Sequence, residues 1–482
     1  MSIKTTESPS ESRKNMSPDY RDNMKFLKET LAVSVNFDVI YREIHAGDKD
    51  ACFYTVNGFC NDELLQKMLK QLMDLKEEEM PKDAYSMAKH FIPYVAVDLK
   101  EEWEAIIVAI LSGQFALFID GFDRCILIDS RAYPARSVEE PEKDKVLRGS
   151  RDGFVETVVS NTALIRRRIR STDLRMEIMN AGESSKTDIV ICYMNSRVDK
   201  DFLDVIKRRI LGIQVDALTM NQESLAECLY KHKWYNPFPK FKYTERPDTA
   251  AAQILEGDII ILVDNSPQAM ITPSSIFDII EEPDDYYFPP IIGSYLRLTR
   301  LLIAILTYIL TPTFLLFMQH PDWIPRGFEF IMIKETSNIP LIWQFVLLEL
   351  AIDGLKLAAV NTPTMLSTPL SIMAALVLGQ FSVDSGWFNA EVMLYMAFVA
   401  IANYTQASYE LGYALKFMRM INLILTAIFG LGGYIVSILI CIVSIVTNKT
   451  VAAKSYIYPL IPLNFSQLKK RFLRLRLPET RK

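Results

Sequence analysis

The sequence predicts an α/β soluble region with two similar modules, followed by an all-helical polytopic membrane domain. Three observations carry that prediction. The formal net charge of the 482 residues is −5, yet from Tyr295 onward 16 Lys/Arg face 9 Asp/Glu, so the acidic excess lies wholly in the first 294 residues. Apolar residues, 50% of the chain, concentrate in the basic half, which describes two solvents rather than one globule. Within the acidic half, one order of strand, helix and hairpin signals occurs twice.

Residues 1–24 are polar, with no apolar core of a signal peptide, and are expected to be a disordered lead-in. Module 1 is assigned to residues 25–135. There ACFYTVNGFC reads as a strand ending at Asn57-Gly58, and the NDELLQKMLKQLMDL that follows reads as a helix with Leu64, Leu65, Met68, Leu69 and Leu72 on one face. Module 2, residues 186–290, repeats this with DIVICYMNS and KDFLDVIKRRI. Each module closes on a hairpin: SGQFALFIDGFDRCILIDS turns at Asp120-Gly121, and EGDIIILVDNSPQAMITPS turns at Asp264-Asn265.

Between them, residues 136–185 read as a helical linker with a basic run, Arg166, Arg167, Arg168 and Arg170. On a helix over 160–170 these arginines fan around the axis. They are candidates for contact with a partner or with lipid headgroups, against the plainer reading of a solvated face or an interdomain ion-pair network. Nucleic acid is disfavoured by the acidic surroundings and the lack of a recognition motif. The six cysteines show no CxxC and the four histidines no ligand spacing, so neither a disulfide framework nor a metal site is expected. No nucleophile–base set and no phosphate-binding fingerprint occurs, so no cofactor and no enzymatic activity are expected.

A bilayer core of about 30 Å needs about 20 helical residues. Residues 291–448 supply five candidates: Leu301–Gln319, Ile339–Val360, Met365–Ser382, Val392–Tyr409 and Met420–Asn448. The tail, 449–482, is basic and predicted cytosolic, and the soluble half is placed on the same side, which demands an even number of crossings. Four full spans plus one irregular segment meet that condition. Either Met420–Asn448, with Gly430, Gly432 and Gly433 near its middle, folds back, or Ile339–Val360 does not cross.

Polar residues at depth are the candidate site. Glu349, Asp353 and Lys356 share one helix face at i, i+4, i+7, and Asn361 and Thr364 extend the polar stretch through Pro363. Asn403, Gln406 and Glu410 at i, i+3, i+7 suggest a second polar face. Hydrocarbon disfavours bare charge, so both faces should turn inward, as an ion path or as a cluster holding helices in register.

Several long stretches carry a resemblance: RAYPARSVEEPEKDKVLRGSRDGFVETVVSNTALIRRRIRSTDLR, PDDYYFPPIIGSYLRLTRLL, NYTQASYELGYALKFMR and KSYIYPLIPL. With them the chain resembles the spore-germination receptor A-subunit family over about residue 30 to Pro478. DGLKLAAVNTPTMLSTPLSI is most similar to the branch of stage V sporulation protein AF, since Lys356 and the NTP that follows replace the usual receptor pattern. The resemblance implies a multi-pass protein of the bacterial spore inner membrane with both termini cytosolic. It also implies a homo-oligomer, as a pentamer, passing monovalent cations during germination and amplifying the germination signal. A small membrane partner subunit and a functional link to dipicolinic-acid transport proteins are implied as well. The alternative left open is a non-conducting scaffold that recruits or gates a partner transporter, or a nutrient-receptor A subunit.

Overall fold

The computed structural model describes residues 14–133, 149–230, 235–335, 337–361, 379–450 and 455–474. It divides into two units, Met1–Lys231 with Tyr243–Pro273, and His232–Lys242 with Ser274–Lys482.

The first unit holds two five-stranded sheets of one topology. Strands β1 (Val39–Ala46), β2 (Lys49–Val56), β3 (Val97–Lys100), β4 (Phe115–Ile119) and β5 (Cys125–Ile128) form a sheet ordered β1-β2-β4-β5-β3. Strands β6 (Leu174–Ala181), β7 (Thr187–Met194), β8 (Lys242–Thr244), β9 (Ile259–Val263) and β10 (Ala269–Thr272) repeat it as β6-β7-β9-β10-β8. Neighbours such as β1–β2, β2–β4 and β4–β5, and in the second sheet β6–β7, β7–β9 and β9–β10, pair antiparallel. The short turns between β1 and β2 and between β4 and β5 allow nothing else, because parallel neighbours need long crossovers.

Helices cover both faces of the first sheet, which is why its central strands are apolar throughout. Phe115, Leu117 and Ile119 pack with Met68, Leu72 and Met87 of helices Asp62–Met73 and Ala84–His90. Ala116 and Phe118 point the other way, toward Met24, Leu27, Trp103 and Ile106. Two sequence-based boundaries move. A helix spans Tyr20–Thr30 and so begins within residues 1–24, the segment read as a lead-in, because Asp19 caps it by accepting from the Arg21 amide at 2.9 Å and Met24 is buried. Strand β6 lies inside the segment read as linker: Leu174 and Met176 are buried in the second core while alternate residues face out.

The second unit is helical. Among the described residues two helices, Pro290–Gln319 and Tyr409–Thr447, are long and apolar enough to cross a membrane. Leu341–Asn361 is as long as a span but carries three charges, and Ala390–Tyr404 is shorter. The helix assigned to 409–447 is broken at Gly430 (φ 57°, ψ −134°) and reverses there. Before the break, Arg419 Nη1 donates to the Thr307 carbonyl at 2.9 Å and Gln319 Nε2 to that of Thr426 at 3.3 Å. After it, Tyr434 meets Thr313 at 2.8 Å and the Tyr308 hydroxyl donates to the Ser437 carbonyl at 3.1 Å. The contacts therefore ascend helix Pro290–Gln319 and then descend it: the segment is a hairpin with two arms. A left-handed φ suits glycine at the turn, and at Gly433 a Cβ would overlap the Leu425 carbonyl of the opposite arm.

Candidate functional site

Charges removed from water need partners, so the buried charges of the helical unit define its chemistry. On the hairpin's first arm, Lys416, Arg419, Asn422 and Thr426 fall at spacings of three, three and four, one stripe of an α-helix, and all four are buried. Facing them, Glu349 is 3% exposed on helix Leu341–Asn361 and Arg419 is 0% exposed. Arg419 donates to the Glu349 carboxylate through Nε at 2.9 Å and through Nη2. Lys416 bridges Glu349 Oε2 at 3.1 Å and Asp353 Oδ2 at 2.5 Å. The carbonyl of Thr307 completes the cage around Arg419.

Lys356 lies one turn further, its ammonium 4.8 Å from the ring centre of Tyr404 and 5.5 Å from that of Tyr413. Aromatic faces attract a cation when a carboxylate is not at hand. Counted together, Arg419, Lys416 and Lys356 oppose Glu349 and Asp353, so the seam carries one more cation than anion.

The other predicted site residues separate. Asn361 is exposed and its amide donates to the Leu357 carbonyl of its own helix at 3.1 Å. Thr364 lies outside the described residues, as does most of Met365–Ser382. Asn403, Gln406 and Glu410 do not share a helix, which corrects the expected second face. Helix Ala390–Tyr404 ends first, and Ser408 caps a new one by accepting from the Leu411 amide at 3.3 Å. Asn403 and Gln406 are buried near Gly412, and Asn403 Oδ1 and both polar atoms of the Gln406 amide find no hydrogen-bond partner among the described residues. Glu410 is exposed.

Sequence reasoning missed the answering half of this site. Lys416 and Arg419 look like charges flanking a span, but the helix begins at Tyr409 and carries them inward. Their spacing to Asn422 and Thr426 was the available signal.

The arginine run resolves into three separate roles. Arg166 is 0% exposed and forks onto Asp38, through Nε at 2.7 Å and Nη2 at 3.1 Å, joining the two modules. That burial removes Arg166 from the expected contact with partner or lipid. Beside it, the Phe37 amide donates to the Met176 carbonyl at 3.2 Å, and the Met176 amide to Asn36 Oδ1 at 2.9 Å. Arg168 holds Asp152 at 2.5 Å. Burial pushes the Asp152 carboxyl up, but Arg168 and Ser150 outweigh it and hold the group below the ordinary value. Arg167 is exposed, its guanidinium 4.5 Å from the Tyr133 ring, and Arg170 is exposed. Among the described residues no cluster of three or more His, Cys, Asp or Glu is placed to hold a metal.

The sequence matches the family of Bacillus/Clostridium GerA spore germination proteins over residues 25–482. The chain belongs to that family. Stage V sporulation protein AF of Bacillus subtilis (strain 168) is 36% identical over 443 residues, covering 92% of this chain and 90% of that relative. Spore germination protein KA of the same organism is 26% identical over 472 residues, covering 95% and 85%. A crystal structure of the N-terminal domain of the A subunit of the Bacillus megaterium spore germinant receptor GerK3 aligns at 23% identity and a TM-score of 0.42. It covers 54% of this chain and 96% of that one. Membership in the GerA family links the chain to sporulation and germination signalling at a membrane, in subunits that signal rather than catalyse.

Proposed function

We propose that this GerA-family chain is a receptor-type A subunit acting as a membrane scaffold of a germination-signalling assembly, recruiting or gating a partner rather than conducting ions by itself. The observation that carries this reading is the neutralisation of Glu349 and Asp353 within one subunit by Arg419 and Lys416. A carboxylate already answered by buried cations holds helices in place and offers little field to a passing cation.

The helix directions support a multi-pass topology with the soluble half and the tail both cytosolic. Helix Leu341–Asn361 runs against Pro290–Gln319, since Phe345 meets Phe314 while Glu349 and Thr307 share Arg419. Ala390–Tyr404 runs parallel to Leu341–Asn361: Gln344 binds Asn389 at 2.8 Å, and Lys356 lies over Tyr404. Residues 362–378, which hold most of the expected span Met365–Ser382, lie outside the described residues. Counting that segment as the span the sequence predicts, and both hairpin arms as traverses, the proposed total is an even six in place of the four plus one first expected. The proposed setting is the spore inner membrane, with further copies of the chain, a small membrane subunit and dipicolinic-acid transport proteins as partners.

The test is ion flux through the purified full chain in vesicles. The scaffold reading expects no sodium or potassium flux above empty vesicles. A flux lowered by Glu349→Gln with Asp353→Asn would overturn it in favour of the second reading, an oligomeric cation channel. That second reading draws on buried Asn403 Oδ1 and the Gln406 amide, which have no partner among the described residues and suit a wetted path.

A further inference from the structure

After the hairpin, the chain presents an apolar edge that the fold leaves uncovered. In Tyr458–Phe465, Tyr458, Leu460, Ile461 and Leu463 are exposed, and Phe465 is 75% exposed. The helix that follows, Phe465–Phe472, sets Phe465, Leu468 and Phe472 at i, i+3, i+7, with Leu473 exposed beyond it. From Tyr458 to Arg474 the sequence holds Lys469, Lys470, Arg471 and Arg474 and no acidic residue.

This segment is not a loose tail. The Ile276 amide donates to the Tyr456 carbonyl at 2.9 Å, and the Arg474 amide to Ser294 Oγ at 2.9 Å. Arg471 pairs with Asp278 and, at 3.3 Å, with Glu281, and Phe472 packs edge-on against Phe277 at 5.7 Å. These ties hold the segment at the first turns of helix Pro290–Gln319. On that helix Ile291, Tyr295, Leu298, Leu302 and Ile305 are exposed at i, i+4, i+7, i+11, i+14, one continuous apolar stripe of the kind that faces acyl chains.

We infer that Tyr458–Leu473 is an interfacial foot that lies in the cytosolic leaflet and binds anionic phospholipid. The exposed Tyr458, Leu460, Ile461, Leu463 and Phe465 enter the boundary between headgroups and acyl chains, and exposed Lys469 meets the phosphates. Three features select a lipid surface over a second copy or a protein partner: the tethering beside the helix stripe, the run of exposed apolar residues from Tyr458 to Phe465, and the absence of acidic residues from the sequence of the segment itself. Amphipathic segments with bases on one side bind in this way. The inference rests on the membrane reading of the helical unit.

The test places a bimane label at Ile461→Cys in the full-length chain, with the exposed Cys228 changed to Ser, reconstituted into vesicles of phosphatidylcholine with or without phosphatidylglycerol. A second labelled variant, Leu302→Cys, reports membrane insertion itself. Brominated acyl chains are expected to quench both labels. Quenching at 461 is expected to increase with phosphatidylglycerol, and Lys469→Glu with Lys470→Glu to abolish that increase. Quenching at 302 with an iodide-accessible, unquenched label at 461 would overturn the foot alone. A label at 461 shielded from both quenchers would also overturn it, in favour of a protein contact. Absence of quenching at 302 would overturn the membrane reading beneath it.

Discussion

Glu349 and Arg419, 70 positions apart, meet through Arg419 Nε at 2.9 Å with both side chains buried, and this pair joins helix Leu341–Asn361 to the first arm of the hairpin. Removing Glu349 leaves buried Arg419 without a carboxylate, whereas removing Arg419 leaves Glu349 still held by Lys416 at 3.1 Å. Glu349→Leu is therefore expected to cost about 3–5 kcal/mol, the usual loss when a buried charge loses its partner, and Arg419→Met to cost less. Thermal melting of the purified chain in detergent checks this. Glu349→Leu combined with Arg419→Met should recover most of the loss, because two apolar side chains then replace the pair.

Asp38 and Arg166 make the same kind of joint between the two sheet modules. Arg166→Met should destabilise the soluble half by about 3–5 kcal/mol, read as a lower melting transition. The exposed neighbour Arg170→Ala should stay within about 0.5 kcal/mol of the parent, as surface changes do.

The hairpin depends on Gly433 and not on Gly432. A side chain at 433 would run into the Leu425 carbonyl, whereas nothing lies within 4 Å of a Cβ at 432. Gly433→Leu should therefore open the hairpin and reduce crosslinking by a short bis-maleimide between cysteines placed at Thr313 and Tyr434. Gly432→Ala should leave crosslinking intact and raise helix stability by about 0.5–1 kcal/mol.

Acid should loosen the ties at the start of helix Pro290–Gln319. Burial pushes the Glu281 carboxyl up, but Arg297, Lys242 and Arg471 outweigh it and hold the group below its ordinary 4.5. A depressed carboxylate stabilises the fold above its unfolded pKa and loses that contribution as pH falls through the folded value. Melting temperature should accordingly drop as pH is lowered from 4.5, and Glu281→Gln should flatten that dependence while starting lower at neutral pH. Amide hydrogen exchange of residues 465–472 should follow the same curve.

Periodicity and turn residues made much of the architecture legible. The Asp120-Gly121 and Asp264-Asn265 hairpins and the matching strand–helix pairs revealed the duplicated modules. Strand β6 was less visible because, at the sheet edge, Arg175, Glu177 and Asn180 interrupt its apolar residues, and the Tyr20–Thr30 helix because its apolar residues are few. Glu349 and Asp353 stood out as acids within an apolar run. Lys416 and Arg419 did not, because a basic residue near the end of a span reads equally as a flank.

The sequence by itself determined the division into two solvents, the repeated soluble module and the presence of charge within the membrane-length half, since each follows from composition and local spacing. Only the tertiary structure decided which charges answer one another, that the last long segment reverses at Gly430, and that Arg166 faces inward. Those outcomes depend on contacts between residues tens to hundreds of positions apart, and local spacing fixes which face of a helix a residue occupies without naming what that face meets.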